Sequence, residues 1–243
     1  MPRCRGARCR GGTQHRGRPR SDSEGRCHGS RHPRGRRGGC SYGDIPTEMP
    51  IMTSPSWRVI PSVRDLRTLD AALSSPSPDV LLSNVHIGNL VSLSSRVHAM
   101  RKNVFVQSDL IGGFRADPDG ILLLRNNFKV DGVFTSSHQT LALAKRTGMR
   151  RYYRVALMDS RSVTTALQAL KGFQGDGVEL LPAAVALDVH AQFRDVLPDS
   201  EILAGGFIRT DEMLSALRDA GLSGATTSNI SLWSEHHEIS TRN

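Results

Sequence analysis

From Trp57 onward the chain alternates between short apolar runs rich in Val, Ile and Leu and longer stretches in which apolar residues recur at helical spacing. The runs predict strands over Arg58 to Pro61, Val80 to Val85, Val104 to Ser108, Gly132 to Ser136, Tyr152 to Leu157, Val178 to Leu181, Ile202 to Ala204 and Gly224 to Thr227. Their starts lie about 20 to 28 residues apart, which leaves room for one helix and two short loops; such crossovers give parallel pairing with right-handed connections. Runs that are apolar throughout, rather than alternating, indicate a sheet buried on both faces. Helix signals fall between them. Arg64 to Leu73 puts Leu66, Leu69 and Leu73 on one face, and Gln139 to Arg146 pairs Leu141 with Ala144 before a stop at Gly148. Thr210 reads as an N-cap, with Asp211 and Glu212 in the first turn, Leu214 and Leu217 on the buried side and a stop at Gly221. Eight strand-helix units in about 180 residues predict an α/β fold, a compact (β/α)8 TIM barrel. A doubly wound open sheet ranks second, because no GxGxxG fingerprint follows the first strand.

Charge changes the picture only before Trp57. The chain has 32 Lys+Arg against 23 Asp+Glu, a formal net charge of +9, yet Met1 to Pro50 alone holds twelve Arg, no Lys and four acids. The basic character belongs to that segment. Cys4, Cys9, Cys27 and Cys40 lie there too, at spacings that match neither a disulfide framework nor a zinc site, so no metal or cofactor is expected. With few large apolar residues, 1–56 reads as a disordered Arg/Gly-rich tail that could touch nucleic acid through charge alone, and 237–243 as a short C-terminal tail. Met49 and Met52 stand where the composition becomes that of a folded protein, which makes them candidate start sites. Apolar runs such as Ile121 to Leu124 are far short of the ~20 residues of a membrane span, and the tail lacks the apolar core of a signal peptide; the expectation is a cytoplasmic protein with no membrane partner.

The candidate chemistry lies at the end of the chain. Ala204 to Thr210 follows the seventh strand with a Gly-Gly pair, and Ala225 to Asn229 closes the eighth and opens a short helix ending near Trp233. In barrels, the loops after strands seven and eight commonly hold phosphate, because glycines let backbone N–H groups approach an anion. Gly205, Gly206, Thr227, Ser228 and Asn229 are the candidate phosphate contacts. A tight turn and a plain helix cap are the bland readings of the two segments.

These and other segments carry a specific resemblance. Val59-Ile60-Pro61-Ser62-Val63-Arg64, His86-Ile87-Gly88-Asn89-Leu90, Asp109-Leu110-Ile111-Gly112-Gly113, Asp131 to Ser136, Met158-Asp159-Ser160, Glu179-Leu180-Leu181-Pro182, Ala204 to Thr210, Thr227-Ser228-Asn229 and Leu232-Trp233 resemble the glycerol-3-phosphate-responsive antiterminator family in order and spacing, from about Val59 to Trp233. The chain departs from the family's usual run at Tyr152 to Leu157 and at Ser83-Asn84-Val85. The resemblance implies a (β/α)8 domain that binds glycerol 3-phosphate as effector and acts on leader mRNA to prevent early termination in glycerol-uptake genes.

Polar residues at the strand ends complete the reading. Arg64, His86, Asp109, Arg154, Asp159 and Glu179 could converge at the barrel mouth. With the ligand that the resemblance implies, Asp109 and Glu179 read as acceptors for the glycerol hydroxyls, and Arg154 or Arg64 as their charge partners or as help for the phosphate. Each has a plainer role: Arg64 starts a helix, His86 is a satisfied loop histidine, Asp159 caps a helix. Glu179, within an apolar strand, needs a partner or a proton. An enzyme of the same fold, an isomerase or prenyl transferase acting on a glycerol-phosphate-like substrate, is the alternative function. None of Lys102, Lys129, Lys145 and Lys171 lies at a catalytic strand end, and the barrel contains no Cys nucleophile. For RNA, Arg150 and Arg151 beside Tyr152 and Tyr153 are the candidate contacts; the same platform could instead be a homo-oligomer surface, and a solvated helix end plus a buried strand is its bland reading.

Overall fold

A computed structural model describes residues 57–234. The two tails expected from composition, with all four cysteines, lie outside them. Eight parallel strands close into a barrel in sequence order: β1 (Arg58–Val63), β2 (Asp79–Leu82), β3 (Asn103–Gln107), β4 (Gly132–Thr135), β5 (Arg150–Ala156), β6 (Gly177–Leu181), β7 (Glu201–Gly205) and β8 (Gly224–Thr227). Closure is direct, with Arg58 to Pro61 of β1 in register with Gly224 to Thr227 of β8. Between the strands run α1 (Leu69–Ser74), α2 (Ile87–Ala99), α3 (Pro118–Asn126), α4 (His138–Lys145), α5 (Ser160–Ala169), α6 (Ala183–Val196) and α7 (Asp211–Asp219). Among the described residues, the eighth strand is followed by a single 3-10 turn, Ile230–Leu232. None of the helices among the described residues is long and apolar enough to cross a membrane.

All eight strands and the expected stops are present, with Gly148 and Gly221 in the left-handed region at φ 72° and 81°. Most strand ends shift by one or two residues, and three of the differences have local reasons. The segment expected as a helix from Arg64 begins later, because the Asp65 carboxylate accepts from Arg67 N at 3.0 Å and caps a 3-10 turn, Leu66–Thr68, ahead of α1. Strand β2 stops at Leu82, and Ser83 to Val85 form the loop into α2. Strand β5 starts two residues early, at Arg150, because both arginines have acidic partners that allow charge inside a sheet.

The barrel interior is built in three levels. The middle level holds Ile60, Leu81, Phe105, Phe134, Tyr152 and Leu203, with Phe134 stacked on Tyr152 at 4.6 Å and Phe105 edge-on to both at 5.8 Å. Below, at the N-terminal strand ends, Arg58 Nη2 meets Glu201 at 2.5 Å and its Nε lies 3.2 Å from Asp79. Asp79 also accepts from Arg150 and Asn103, both at 2.7 Å, and the Tyr152 hydroxyl donates to Glu201 at 2.7 Å. Burial and the neighbouring Glu201 carboxylate push the Tyr152 hydroxyl well above its usual pKa, so it stays a donor. Above, at the C-terminal ends, the inward positions are polar and open on a cavity. Outside the sheet, two apolar clusters pack the helices, one centred on β1 to β4 and one on β5 to β8.

Candidate functional site

A parallel strand turns successive side chains to opposite faces, so each strand that places an apolar residue in the middle level places the residue two positions on at the mouth. That rule puts Ser62 above Ile60, Ser83 above Leu81, Gln107 above Phe105, Arg154 above Tyr152 and Gly205 above Leu203. The mouth is a cavity of about 790 Å³, whose lining includes Arg64, Arg154, Glu179, Gly206, Thr227, Ser228 and Asn229 from the sequence reading. The β7 and β8 loops therefore meet on one cavity, as the phosphate reading requires. Asn229 binds them together: its Nδ2 donates to Arg209 O at 3.1 Å and its N to Thr227 Oγ1 at 3.1 Å.

Glu179 forms the floor. It is 1 % exposed, and its Oε2 accepts from Arg154 Nε at 2.5 Å while its Oε1 accepts from the Thr226 hydroxyl. Arg154 and Glu179 are directly opposed in the β5–β6 register, so the sheet itself sets their pairing. A carboxylate oxygen has two lone-pair sites, which leaves Glu179 able to accept further hydroxyl donors from the cavity.

Gly205 supports this floor. A Cβ there would lie 2.5 Å from Thr226 Oγ1 and 2.7 Å from Glu179 Oε1. Its lack of a side chain makes room for the Glu179–Thr226 hydrogen bond, and it is Gly206 that lines the cavity. Gly205→Ala is expected to destabilise the fold by about 1–3 kcal/mol, the usual range for overpacking, as a lowered denaturation midpoint. Gly206 and Phe207 are both left-handed, at φ 77° and 60°. This is routine for glycine but strained for phenylalanine, which is held 79 % exposed at the rim.

The remaining residues of the sequence reading have other partners. His86 caps α2, with Nδ1 accepting from Gly88 N at 3.1 Å. Asp159 caps α5, accepting from Ser162 N at 2.7 Å. Asp109 ties the end of β3 to the end of β4, accepting from Thr135 Oγ1 at 2.6 Å and Ser136 N at 2.7 Å. All three lie outside the cavity lining. Arg150 and Arg151 are at the N-terminal start of β5, at the other end of the barrel from the mouth. Arg150 bonds Asp79 and stacks over Phe105 at 4.4 Å, and Arg151 Nε is 3.5 Å from Asp176. Sequence reasoning missed Ser62, Ser83, Asn84, Gln107, Leu110, Phe207, Arg209 and Thr226 in the lining. The alternation of inward positions was the available signal for Ser62, Ser83 and Gln107.

Two cations stand out at the rim. Arg64 and Arg209 both line the cavity, flank the β8 loop from the β1 and β7 sides, and form no ion pair among the described residues. No group of three or more His, Cys, Asp or Glu side chains among those residues could hold a metal ion. The arrangement can thus offer an anion two free guanidiniums and a glycine-containing loop, and offer hydroxyl groups a buried, charge-balanced carboxylate.

Comparison with known proteins places the fold and the family. The chain is similar to the glycerol uptake operon antiterminator regulatory protein from Listeria monocytogenes, at 25% identity and a TM-score of 0.68, over 76% of this chain and 98% of that one. It is similar to a glycerol uptake operon antiterminator-related protein from Thermotoga maritima, at 26% identity and a TM-score of 0.64, over 73% and 98% of the two chains. Orotidine 5′-phosphate decarboxylase from Pyrococcus horikoshii, at 14% identity, a TM-score of 0.53 and coverage of 70% and 88%, shares the fold alone. No curated protein matches the chain. The family model for the glycerol-3-phosphate responsive antiterminator matches residues 59–233, nearly the whole described barrel, and the chain belongs to that family.

Proposed function

We propose that this protein is a sensor of glycerol 3-phosphate that acts in the cytoplasm on the leader mRNA of glycerol-uptake genes and prevents early termination. The observation that carries the proposal is the convergence of the Gly206 and Ser228 loops on one cavity above the buried Glu179–Arg154 pair. In this reading the phosphate lies against the backbone of Gly206 and the Thr227-Ser228-Asn229 turn, with Arg64 and Arg209 balancing its charge. The glycerol hydroxyls donate to Glu179, whose orientation Arg154 and Thr226 fix. The ligand favours an RNA-competent state to the extent that it binds that state more tightly, each tenfold difference in affinity corresponding to ~1.4 kcal/mol.

Calorimetric titration of the full chain with glycerol 3-phosphate tests the proposal, with inorganic phosphate and glycerol as controls. Saturable binding of the ester, weakened by at least tenfold for either fragment, is the expected result. No heat from any of the three rejects the sensor, and turnover of the ester replaces it with an enzyme.

A further inference from the structure

The cavity is larger than this ligand needs. Sites of about 300–1,000 Å³ hold drug-sized molecules, whereas glycerol 3-phosphate has only about ten non-hydrogen atoms. Placed over Glu179 with its phosphate at Gly206 and Ser228, it occupies the β6 to β8 half of the mouth. The opposite half is lined by Ser83 and Asn84 after β2, and by Gln107 and Leu110 at the end of β3.

Gln107 is the informative residue there. It is only 8 % exposed, its side chain faces the cavity, and that side chain forms no hydrogen bond with any described residue. Its amide nitrogen and oxygen are open to the cavity rather than sealed in the core, and so are available to a polar ligand group. A primary amide offers a donor and an acceptor side by side, the pattern that pairs bidentately with the edge of a nucleobase. The neighbouring surface suits the face of the same object: Leu110, in the turn that follows β3, is 52 % exposed at the rim, and extruded bases pack against apolar as well as aromatic side chains. Arg64 and Arg209 can also meet backbone phosphates that approach the rim.

We infer that the β2–β3 half of the mouth receives one unpaired base of a bound RNA, read by Gln107 and packed against Leu110, beside the effector in the same cavity. The inference rests on the sensor reading and adds the place where RNA and effector meet. It puts the RNA contact at the opposite end of the barrel from Arg150 and Arg151, and makes the bound effector one wall of the base site.

The test is titration of the full chain, held in saturating glycerol 3-phosphate, with adenosine, guanosine, cytidine and uridine, followed by saturation-transfer NMR. Ribonucleosides have no phosphate and so do not compete for the β7 and β8 loops. At least one is expected to bind while glycerol 3-phosphate stays bound. Gln107→Leu is expected to weaken it at least tenfold with glycerol 3-phosphate affinity changed less than twofold, and Leu110→Ser, at an exposed position, at least threefold. Absence of nucleoside binding overturns the inference. Displacement of the nucleoside by glycerol 3-phosphate, or equal weakening of both ligands by Gln107→Leu, also overturns it. Nucleoside binding with the expected Gln107 dependence, in a chain that ignores glycerol 3-phosphate, keeps the base site and rejects the effector.

Discussion

Arg154→Met is expected to destabilise the barrel by about 3–5 kcal/mol, because it leaves the carboxylate of Glu179 buried without its cationic partner. The measurement is a denaturant titration followed by circular dichroism, and a loss below 1 kcal/mol would show that Glu179 does not depend on Arg154. The double substitution Arg154→Met with Glu179→Leu separates stability from function. Apolar replacement of a buried ion pair is commonly neutral or stabilising, so the double variant should recover most of the loss. It should nevertheless fail to bind glycerol 3-phosphate, since the hydroxyl acceptor is gone. A double variant that is as unstable as the single one contradicts the energetic argument; one that still binds the ester contradicts the role given to Glu179.

The second large effect is expected at the other end of the barrel. Asp79 is 2 % exposed and accepts from Arg150 and Asn103, with the Arg58 guanidinium 3.2 Å away. Asp79→Ala leaves Arg150 without its acidic partner, frees Asn103 and takes away one of the two carboxylates beside Arg58, which keeps Glu201, and a cost of about 3 kcal/mol follows. Asp79→Asn keeps the shape and one acceptor, so a smaller loss is expected. Because this network is a barrel's length from the mouth, ligand affinity measured on the folded fraction should be unchanged for Asp79→Asn. A Asp79→Ala variant with an unaltered denaturation midpoint would falsify the account of this network.

Much of the fold was legible because a parallel barrel repeats one simple pattern. Apolar runs of four to seven residues at regular spacing, with glycine stops such as Gly148 and Gly221, need no tertiary information to be recognised. The two loops that converge on the cavity were legible for a similar reason: Gly205-Gly206 and Thr227-Ser228-Asn229 are local signals. The mouth residues divided by side-chain reach and by what lies within a few residues. His86 and Asp159 are short polar side chains beside unsatisfied helix N–H groups and were captured as caps, while Asp109 was captured by the neighbouring strand's end. Glu179 escaped that fate because it sits inside a strand, where its own backbone amides are already in the ladder. Arg150 and Arg151 looked like a basic surface because their partners, Asp79 and Asp176, are 71 and 25 residues away. Gln107 was passed over for the opposite reason: an uncharged residue at the end of a strand has no chemical signal of its own, and only the alternation of inward positions along β3 points to it.

The stacked interior has one more implication. Phe105, Phe134 and Tyr152 close the middle of the barrel, and the Arg58–Asp79–Glu201 network closes the lower end, so the cavity is a cul-de-sac. A small molecule inside it has a single doorway. Anything seated across that doorway lengthens its dwell time without touching it, and a weak, rapidly exchanging metabolite becomes a lasting one for as long as the cover stays in place.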